Sequence, residues 1–454
     1  MDYHQALAYL DRHTNLEGNR SSRFEPKSDP VLPLAGEIGG LSLEPMTALL
    51  STLGDPHQAY RVIHVTGTNG KGSTTRFITS LIQATDLSVG AYTSPNIQRV
   101  NERLSWGSDA ISDEDFGRII GLLASIESML DAPPSRFELL TAAAFVWFAE
   151  LAVDVAVVEV GLLGRFDATN VVTGDVAVVT NIGKDHTTGG EGWAEAVAGE
   201  KAGIIKPGSH LILGSPMPEL APIFAAEQPA QTWAAESDFG VESTQLAVGG
   251  MVVDIATPGR RYDELFLPFH GRHQGENLAT ALASVEAFFS RPLEQDLVEL
   301  ALTTVDLPAR FEIAAREPAV VLDGAHNLDG AAAVAETLDE TFPRFGSWIL
   351  VIGLLKGKDP VEMLTAFRAT DFDAVICTEA DWSRAMPAAE IAAAAESLGV
   401  LAEVVTKPVD AFHRAMAVAA DEDLVLVSGT HYILGDIRPM AIAFGQDRQS
   451  SDEA

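Results

Sequence analysis

The chain has 454 residues and a mass of 48.3 kDa, more than one hydrophobic core usually organises, because single cores stop growing at roughly 250–300 residues. Its 30 Lys and Arg stand against 64 Asp and Glu, a formal net charge of −34, which opposes general binding to nucleic acid or to an anionic membrane wherever the field is not locally reversed. With 47% hydrophobic and 21% charged residues the composition is that of a folded globular protein and not of a disordered chain.

The start, Met1-Asp2-Tyr3-His4, has neither the basic nor the apolar segment of a secretory signal, so the cytoplasm is the expected compartment. Strands are expected at Arg61–Thr66 and Ser88–Tyr92. The most apolar stretch, Leu139 to Val160, is interrupted by Glu150 and Asp154 and is too short to span a bilayer. It reads as a helix, Thr141 to Ala152, feeding a buried strand, Val153 to Val160. Strands follow at Asp175–Asn181 and His210–Leu213, and the alternation of β and α implies a parallel sheet covered on both faces. Residues 240–270 alternate with Gly and Pro interruptions, which suggests a small antiparallel appendage, and a helix resumes at Gly275–Phe289.

The segment Thr303–Ala309, with Asp306-Leu307-Pro308, is the expected hinge, since proline favours an extended connection before it. Beyond it, strands at Ala319–Leu322, Trp348–Gly353, Asp373–Cys377 and Asp423–Ser428 alternate with Ala-rich helices such as Ala388–Ser397. The expected division is therefore residues 1–302, a hinge at 303–310, a smaller Rossmann-like α/β domain at 311–445 and a polar tail at 446–454. Cys377, the single cysteine, excludes an internal disulfide and a Cys-based zinc site, and its apolar neighbours predict a buried strand thiol.

The most specific local signal is Gly67-Thr68-Asn69-Gly70-Lys71-Gly72-Ser73-Thr74, between a strand and a helical run. Glycines let successive backbone N–H groups turn toward a polyphosphate, the helix N-terminus adds a favourable field, and Lys71 reaches the outer phosphates. The spacing departs from the usual P-loop, with Gly72 inserted between Lys71 and Ser73. Glu159 ends an apolar strand, where an unpaired carboxylate would be costly and a divalent cation at the sheet's carboxyl edge would satisfy it. His186 follows the next strand by a few residues, so both side chains are expected at the phosphate end of a nucleotide.

Together with Ser94-Pro95, Arg99-Val100-Asn101-Glu102-Arg103, Phe137-Glu138, the run Glu159 to Asn170, Asp185-His186 and Glu200-Lys201-Ala202-Gly203-Ile204, this loop resembles the family of folylpolyglutamate synthases and dihydrofolate synthases, relatives of the muramyl ligases. The resemblance runs from about Leu41 to Arg438. It implies an ATP-binding N-terminal domain with an omega loop at Ser94–Arg103, Thr68 to Ser73 on the nucleotide, and Ser94, Glu159, His186 and Ser73 as magnesium ligands. Lys201 falls on the lysine carbamylated in many members, where it supports a second magnesium ion. Asn277, Arg310, Asp323 and His326 match nucleotide and phosphate positions. Phe137, Glu138, Phe166, Asp167 and Ala168 match positions on the pteroate side. The chain departs from the family at Leu163, Phe166, Gly40–Pro45, Lys184–Gly192 and Gly429–Tyr432.

The implied activity is ATP-driven amide formation between a dihydropteroate or folate carboxylate and the amine of L-glutamate, through an acyl phosphate, with Lys71, Lys201, His186 and Arg310 serving the chemistry in a monomer. A muramyl-type ligase is the nearest alternative, disfavoured because only about 60 residues precede Val62. A P-loop ATPase or nucleotide switch explains the cradle and leaves the second-domain matches without a purpose. Four of the chain's eight lysines, Lys71, Lys184, Lys201 and Lys206, fall in or beside the nucleotide motifs. The cleft is therefore expected to be the least negative region of the molecule.

Overall fold

A computed structural model describes residues 1–15, 42–185, 190–342 and 346–452. The chain divides into two compact units, Met1–Pro268 with His273–Asp306, and Phe269–Arg272 with Leu307–Ala454.

The first unit is built on strands β1 (Arg61–Thr66), β2 (Val89–Tyr92), β3 (Leu104–Trp106), β4 (Asp109–Ala110), β5 (Val155–Glu159), β6 (Val176–Val179), β7 (His210–Leu213) and β8 (Gln231–Ala234), in the order β4-β3-β2-β5-β1-β6-β7-β8. The six strands from β2 to β8 run parallel, and β3 and β4 add an antiparallel edge. The parallel strands at the centre are buried throughout, as Val-rich runs covered on both faces require. β1 lies between β5 and β6, with Val65 opposite Glu159 and Thr66 opposite Val179. The loops leaving β1, β5 and β6 therefore emerge side by side at the carboxyl edge, where open α/β sheets bind ligands.

The apolar helix beside this sheet runs Arg136–Glu150 and starts a turn and a half before the expected Thr141. A capping box begins it: Glu138 N–H donates to Ser135 Oγ at 3.2 Å, and Ser135 N–H donates to Glu138 Oε2 at 2.6 Å. Leu139 to Phe148 are all buried, so no amphipathic stripe marks the helix in the sequence. The appendage is the three-stranded antiparallel sheet β9 (Gly240–Ala247), β10 (Gly250–Ala256) and β11 (Arg261–Leu267), in the order β11-β10-β9. The following helix, Arg272–Phe289, is mostly buried.

The second unit holds β12 (Glu312–Arg316), β13 (Ala319–Leu322), β14 (Trp348–Ile352), β15 (Ala374–Cys377), β16 (Ala402–Val404) and β17 (Leu424–Ser428), ordered β12-β13-β17-β14-β15-β16. Only β12 is antiparallel to its neighbour. Cys377 is buried at the end of β15, and burial pushes its thiol pKa up to about 12, which leaves it an inert thiol at neutral pH. Among the described residues no helix is long and apolar enough to cross a membrane.

Candidate active site

The chain leaves β1 at Thr66, turns through Gly67–Gly70 and enters helix Lys71–Gln83. A Cβ at Gly67 would overlap the Thr180 hydroxyl, and Gly70 caps the helix at φ 80°, where a Cβ would overlap Asn277 Oδ1. Both positions thus need glycine. The loop is moulded from below by the residues after β6. Asn181 Oδ1 accepts from Thr68 N–H at 3.0 Å and Asn69 N–H at 2.9 Å, and the Thr180 hydroxyl donates to the Asn69 carbonyl at 2.5 Å. Thr180 and Asn181 were not singled out from the sequence; their position at the carboxyl end of a central strand was the available signal. Gly67→Ala is expected to displace the loop and raise the KM for ATP by at least about tenfold, since misplacement of a reacting group by about 1 Å can cost 100-fold. Steady-state kinetics with ATP varied checks this.

Two lysines converge on the other side of the loop. Lys71 Nζ donates to the carbonyls of Gly67 and Thr68, both at 3.1 Å, and Lys201 Nζ donates to Gly67 O at 2.7 Å. Lys201 sits in the last turn of helix Trp193–Ala202 and is buried. Removal of solvent from its ammonium group, and then the charge of Lys71, hold its pKa well below the ordinary lysine value, against the pull of Asp185 and Asp167.

Glu159 ends β5 almost wholly buried, and its Oε2 accepts from Ser94 N–H at 3.0 Å. The same oxygen lies 3.5 Å from where a Gly72 Cβ would stand, so the carboxylate faces the first turn of the phosphate-loop helix. Ser73 is buried in that turn. His186 lies outside the described residues, and among the described residues no three His, Cys, Asp or Glu side chains form a metal-binding group. The donors that are described, a carboxylate and the hydroxyls of Ser94 and Ser73, are hard oxygen ligands and fit magnesium. The omega loop after Ser94 is organised by Glu102, whose carboxylate accepts from Ile97 N–H and Arg99 N–H at 2.7 Å and Gln98 N–H at 3.0 Å.

Phe137 and the loop after β5 meet at Gly161, where a Cβ would run into the Phe137 ring. Tyr92 flanks this ring, with centroids 6.1 Å apart. The Glu138 side chain is engaged in the capping box described above, and Phe166 is half-buried. Asp167 caps the short 3-10 helix Ala168–Val171 and accepts from Thr169 N–H at 2.9 Å, Thr169 Oγ1–H at 2.5 Å and Leu162 N–H at 2.8 Å. Burial raises its pKa despite those hydrogen bonds. Arg165 N–H donates to the Glu200 carbonyl at 2.8 Å, and Asn170 Nδ2 donates to the Gly203 carbonyl at 3.0 Å. These bonds tie the loop to the helix end that carries Lys201. Asn277, on helix Arg272–Phe289, faces the phosphate loop through Gly70 and accepts from Thr74 Oγ1 at 3.5 Å.

In the second unit Asp323 follows β13, buried, and its oxygens accept from Phe311 N–H and Ala325 N–H at 2.7 Å each. Burial raises its pKa and Arg310 opposes the rise. Arg310 Nη1 lies 3.3 Å from His431 Nε2, and the His326 ring packs 5.6 Å from that of His431. Arg310, Asp323 and His326 are therefore brought together at the carboxyl edge of the second sheet. His431 was noted in the sequence only as a departure from the family.

The chain matches two families, the Mur ligase middle domain over residues 65–285 and the Mur ligase glutamate ligase domain over residues 309–431. It is 36% identical over 453 residues to a dihydrofolate synthase/folylpolyglutamate synthase of Mycobacterium tuberculosis, covering 90% of this chain and 91% of that one. A solved structure of the Mycobacterium tuberculosis folylpolyglutamate synthase complexed with ADP and AMPPCP superposes with a TM-score of 0.84 at 34% identity, covering 97% of this chain and 98% of that one. A bifunctional folylpolyglutamate synthase/dihydrofolate synthase with Mn, AMPPNP and L-glutamate bound superposes with a TM-score of 0.80 at 27% identity, covering 97% of this chain and 98% of that one.

Proposed function

Because the chain belongs to the folylpolyglutamate synthase/dihydrofolate synthase family of the Mur ligases, we propose that it is an ATP-dependent ligase that adds L-glutamate to dihydropteroate, or to folate and its polyglutamate tail. The observation that carries this reading is the phosphate loop, closed on by Lys71 and Lys201 and faced by the buried Glu159. It stands in a chain whose relatives' structures hold ATP analogues, manganese and L-glutamate.

A carboxylate is a poor electrophile, so the γ-phosphoryl group of ATP is first transferred to it, giving an acyl phosphate and ADP. In this reading the backbone N–H groups that open helix Lys71–Gln83, with Thr68, Asn69, Gly70, Gly72 and Ser73 around them, hold the phosphates, and Lys71 and Arg310 stabilise the charge in flight. Ser94, Glu159, Ser73 and His186 would hold magnesium, which when bound neutralises phosphate charge and orients the transferred group. Asn277, Asp323 and His326 serve the nucleotide. Phe137, Glu138, Phe166, Asp167 and Ala168 hold the pteroate end, with the aromatic rings available for stacking. The neutral glutamate amine then attacks the acyl carbon, the amide C–N bond forms, inorganic phosphate leaves with the acyl–oxygen electron pair, and the proton shed by the nitrogen passes to the departing phosphate or to solvent.

Burial, and then the charge of Lys71, lower the pKa of Lys201 and so favour its neutral amine, the form that adds carbon dioxide. Its carbamate supplies the anion for a second magnesium ion. Residues 1–302 and 311–445 act as the two domains, with 303–310 as hinge, in a cytoplasmic monomer; the segment expected as a tail from 446 instead continues helix His431–Asp452.

Phosphate release from ATP is expected only when magnesium, L-glutamate and either dihydropteroate or a reduced folate are all present. Release without an acceptor sinks the ligase reading in favour of an ATPase, and turnover of a UDP-muramyl substrate alone assigns the chain to the muramyl branch. Comparing the two folate acceptors, with product chain length measured, separates first-glutamate addition from tail extension.

A further inference from the structure

His64 is a fully buried histidine on the strand that feeds the phosphate loop, and nothing in the proposed chemistry uses it. Its Nε2 lies 2.9 Å from the Thr169 hydroxyl, which lies 2.5 Å from Asp167 Oδ1. Thr169 and Asp167 are also buried, so the three side chains form an unbroken polar chain inside the first unit. Its direction follows from counting protons. Thr169 has one hydroxyl proton, and backbone N–H groups of Thr169 and Leu162 already donate to Oδ1 and Oδ2 of Asp167, the arrangement an ionised carboxylate takes.

With Asp167 ionised, the hydroxyl proton points at Asp167, its lone pair faces His64, and His64 carries its proton on Nε2. His64 Nδ1 makes no hydrogen bond among the described residues. A bare lone pair there is the better-tolerated orphan, because buried N–H groups without acceptors are rarer and costlier. The opposite tautomer would leave such an N–H.

We propose that His64 and Thr169 are positioning residues for Asp167, a one-way donor chain from His64 Nε2–H through the Thr169 hydroxyl that fixes the carboxylate toward the N–H donors of a pterin-type acceptor. The inference rests on the reading that Asp167 serves the pteroate end of the site. The neutral state of His64 agrees with it: burial, and then the charge of Lys206, push its pKa down to about 3. His64 therefore stays neutral at neutral pH, and the chain keeps its direction as long as Asp167 is ionised. Because His64 lies on β1, it also links the strand that carries the phosphate loop to the loop that carries Asp167.

Nitrogen-15 NMR of the intact protein reads the tautomer directly. A neutral His64 with its proton on Nε2 at neutral pH is expected; a proton on Nδ1 overturns the proposal, and this readout depends on no variant folding. Kinetics supply the second arm. Thr169→Val is expected to raise the KM for the folate acceptor about tenfold, the worth of one hydrogen bond to a charged group, with the KM for ATP unchanged, and Thr169→Ser is expected to restore it. If Asp167→Ala raises the acceptor KM while Thr169→Val does not, the positioning role is wrong. If Asp167→Ala leaves the acceptor KM unchanged, it is the assignment of Asp167 to the substrate that fails, while the NMR tautomer still tests the direction of the donor chain.

Discussion

Lys71→Ala is expected to lower kcat by about 10²–10³-fold, the range found when one preorganised donor to developing transition-state charge is removed. Lys71 Nζ rests on the Gly67 and Thr68 carbonyls, within the same loop that would cradle the phosphates. A bound polyphosphate offers it a stronger, charge-assisted partner. Truncation takes away a cation that nothing else in the first turn replaces, since Gly72, Ser73 and Thr74 follow it. Lys71→Arg is expected to recover little, because a planar fork does not fit where a compact ammonium reaches. Stopped-flow or steady-state assay of phosphate release gives the numbers. Activity within about twofold of the parent would remove Lys71 from the transfer step.

Lys201→Met separates stability from activity. Lysine holds its proton in the unfolded chain up to its ordinary pKa of 10.5, whereas burial lowers the folded value well below that. Between the two values the unfolded chain binds more protons, so this residue costs stability at neutral pH and the cost shrinks as pH rises toward 10.5. Methionine has a similar volume and no charge to desolvate, and Gly67 O keeps Lys71 as a donor. The variant is therefore expected to melt at a higher temperature while losing most of its ligase activity. Bicarbonate is expected to stimulate the parent and not the variant. Parent activity that is full and unchanged after removal of carbon dioxide would defeat the carbamate. The parent's activity is also expected to fall with acid as the amine takes up a proton, since only the neutral amine adds carbon dioxide.

The parallel-sheet framework was legible because its strands are short apolar runs between helical segments. β1, β7 and β13 have the bounds read from the sequence, and helix Ala388–Ser397 does as well. The edge strands β4, β8, β12 and β16, and β3 beside β4, were not read. They are short or mixed in polarity, so neither an apolar run nor a clean alternation marks them. The helix starting at Arg136 began late in the sequence reading because periodicity fails where every face is buried, although Ser135-Arg136-Phe137-Glu138 spells a capping box.

At the site, the phosphate loop carried its own signature in the order of its glycines and Lys71. The grip of Thr180 and Asn181 on that loop had none, because it spans more than a hundred residues and is created by the adjacency of β1 and β6. His64 had even less, as one residue of an apolar strand whose role depends on Thr169, 105 positions away.

Thr180 and Asn181 hold the phosphate loop by its main chain, and this shifts an entropy term from one equilibrium to another. A loop free to wander would have to be ordered by each arriving nucleotide, weakening every encounter by that amount. Here the ordering is completed when β6 docks beside β1, so the cradle is already shaped when ATP meets it. Nucleotide affinity then inherits the local stability of the central sheet. A cavity opened behind β6, far from any phosphate, would loosen ATP binding by letting the mould relax.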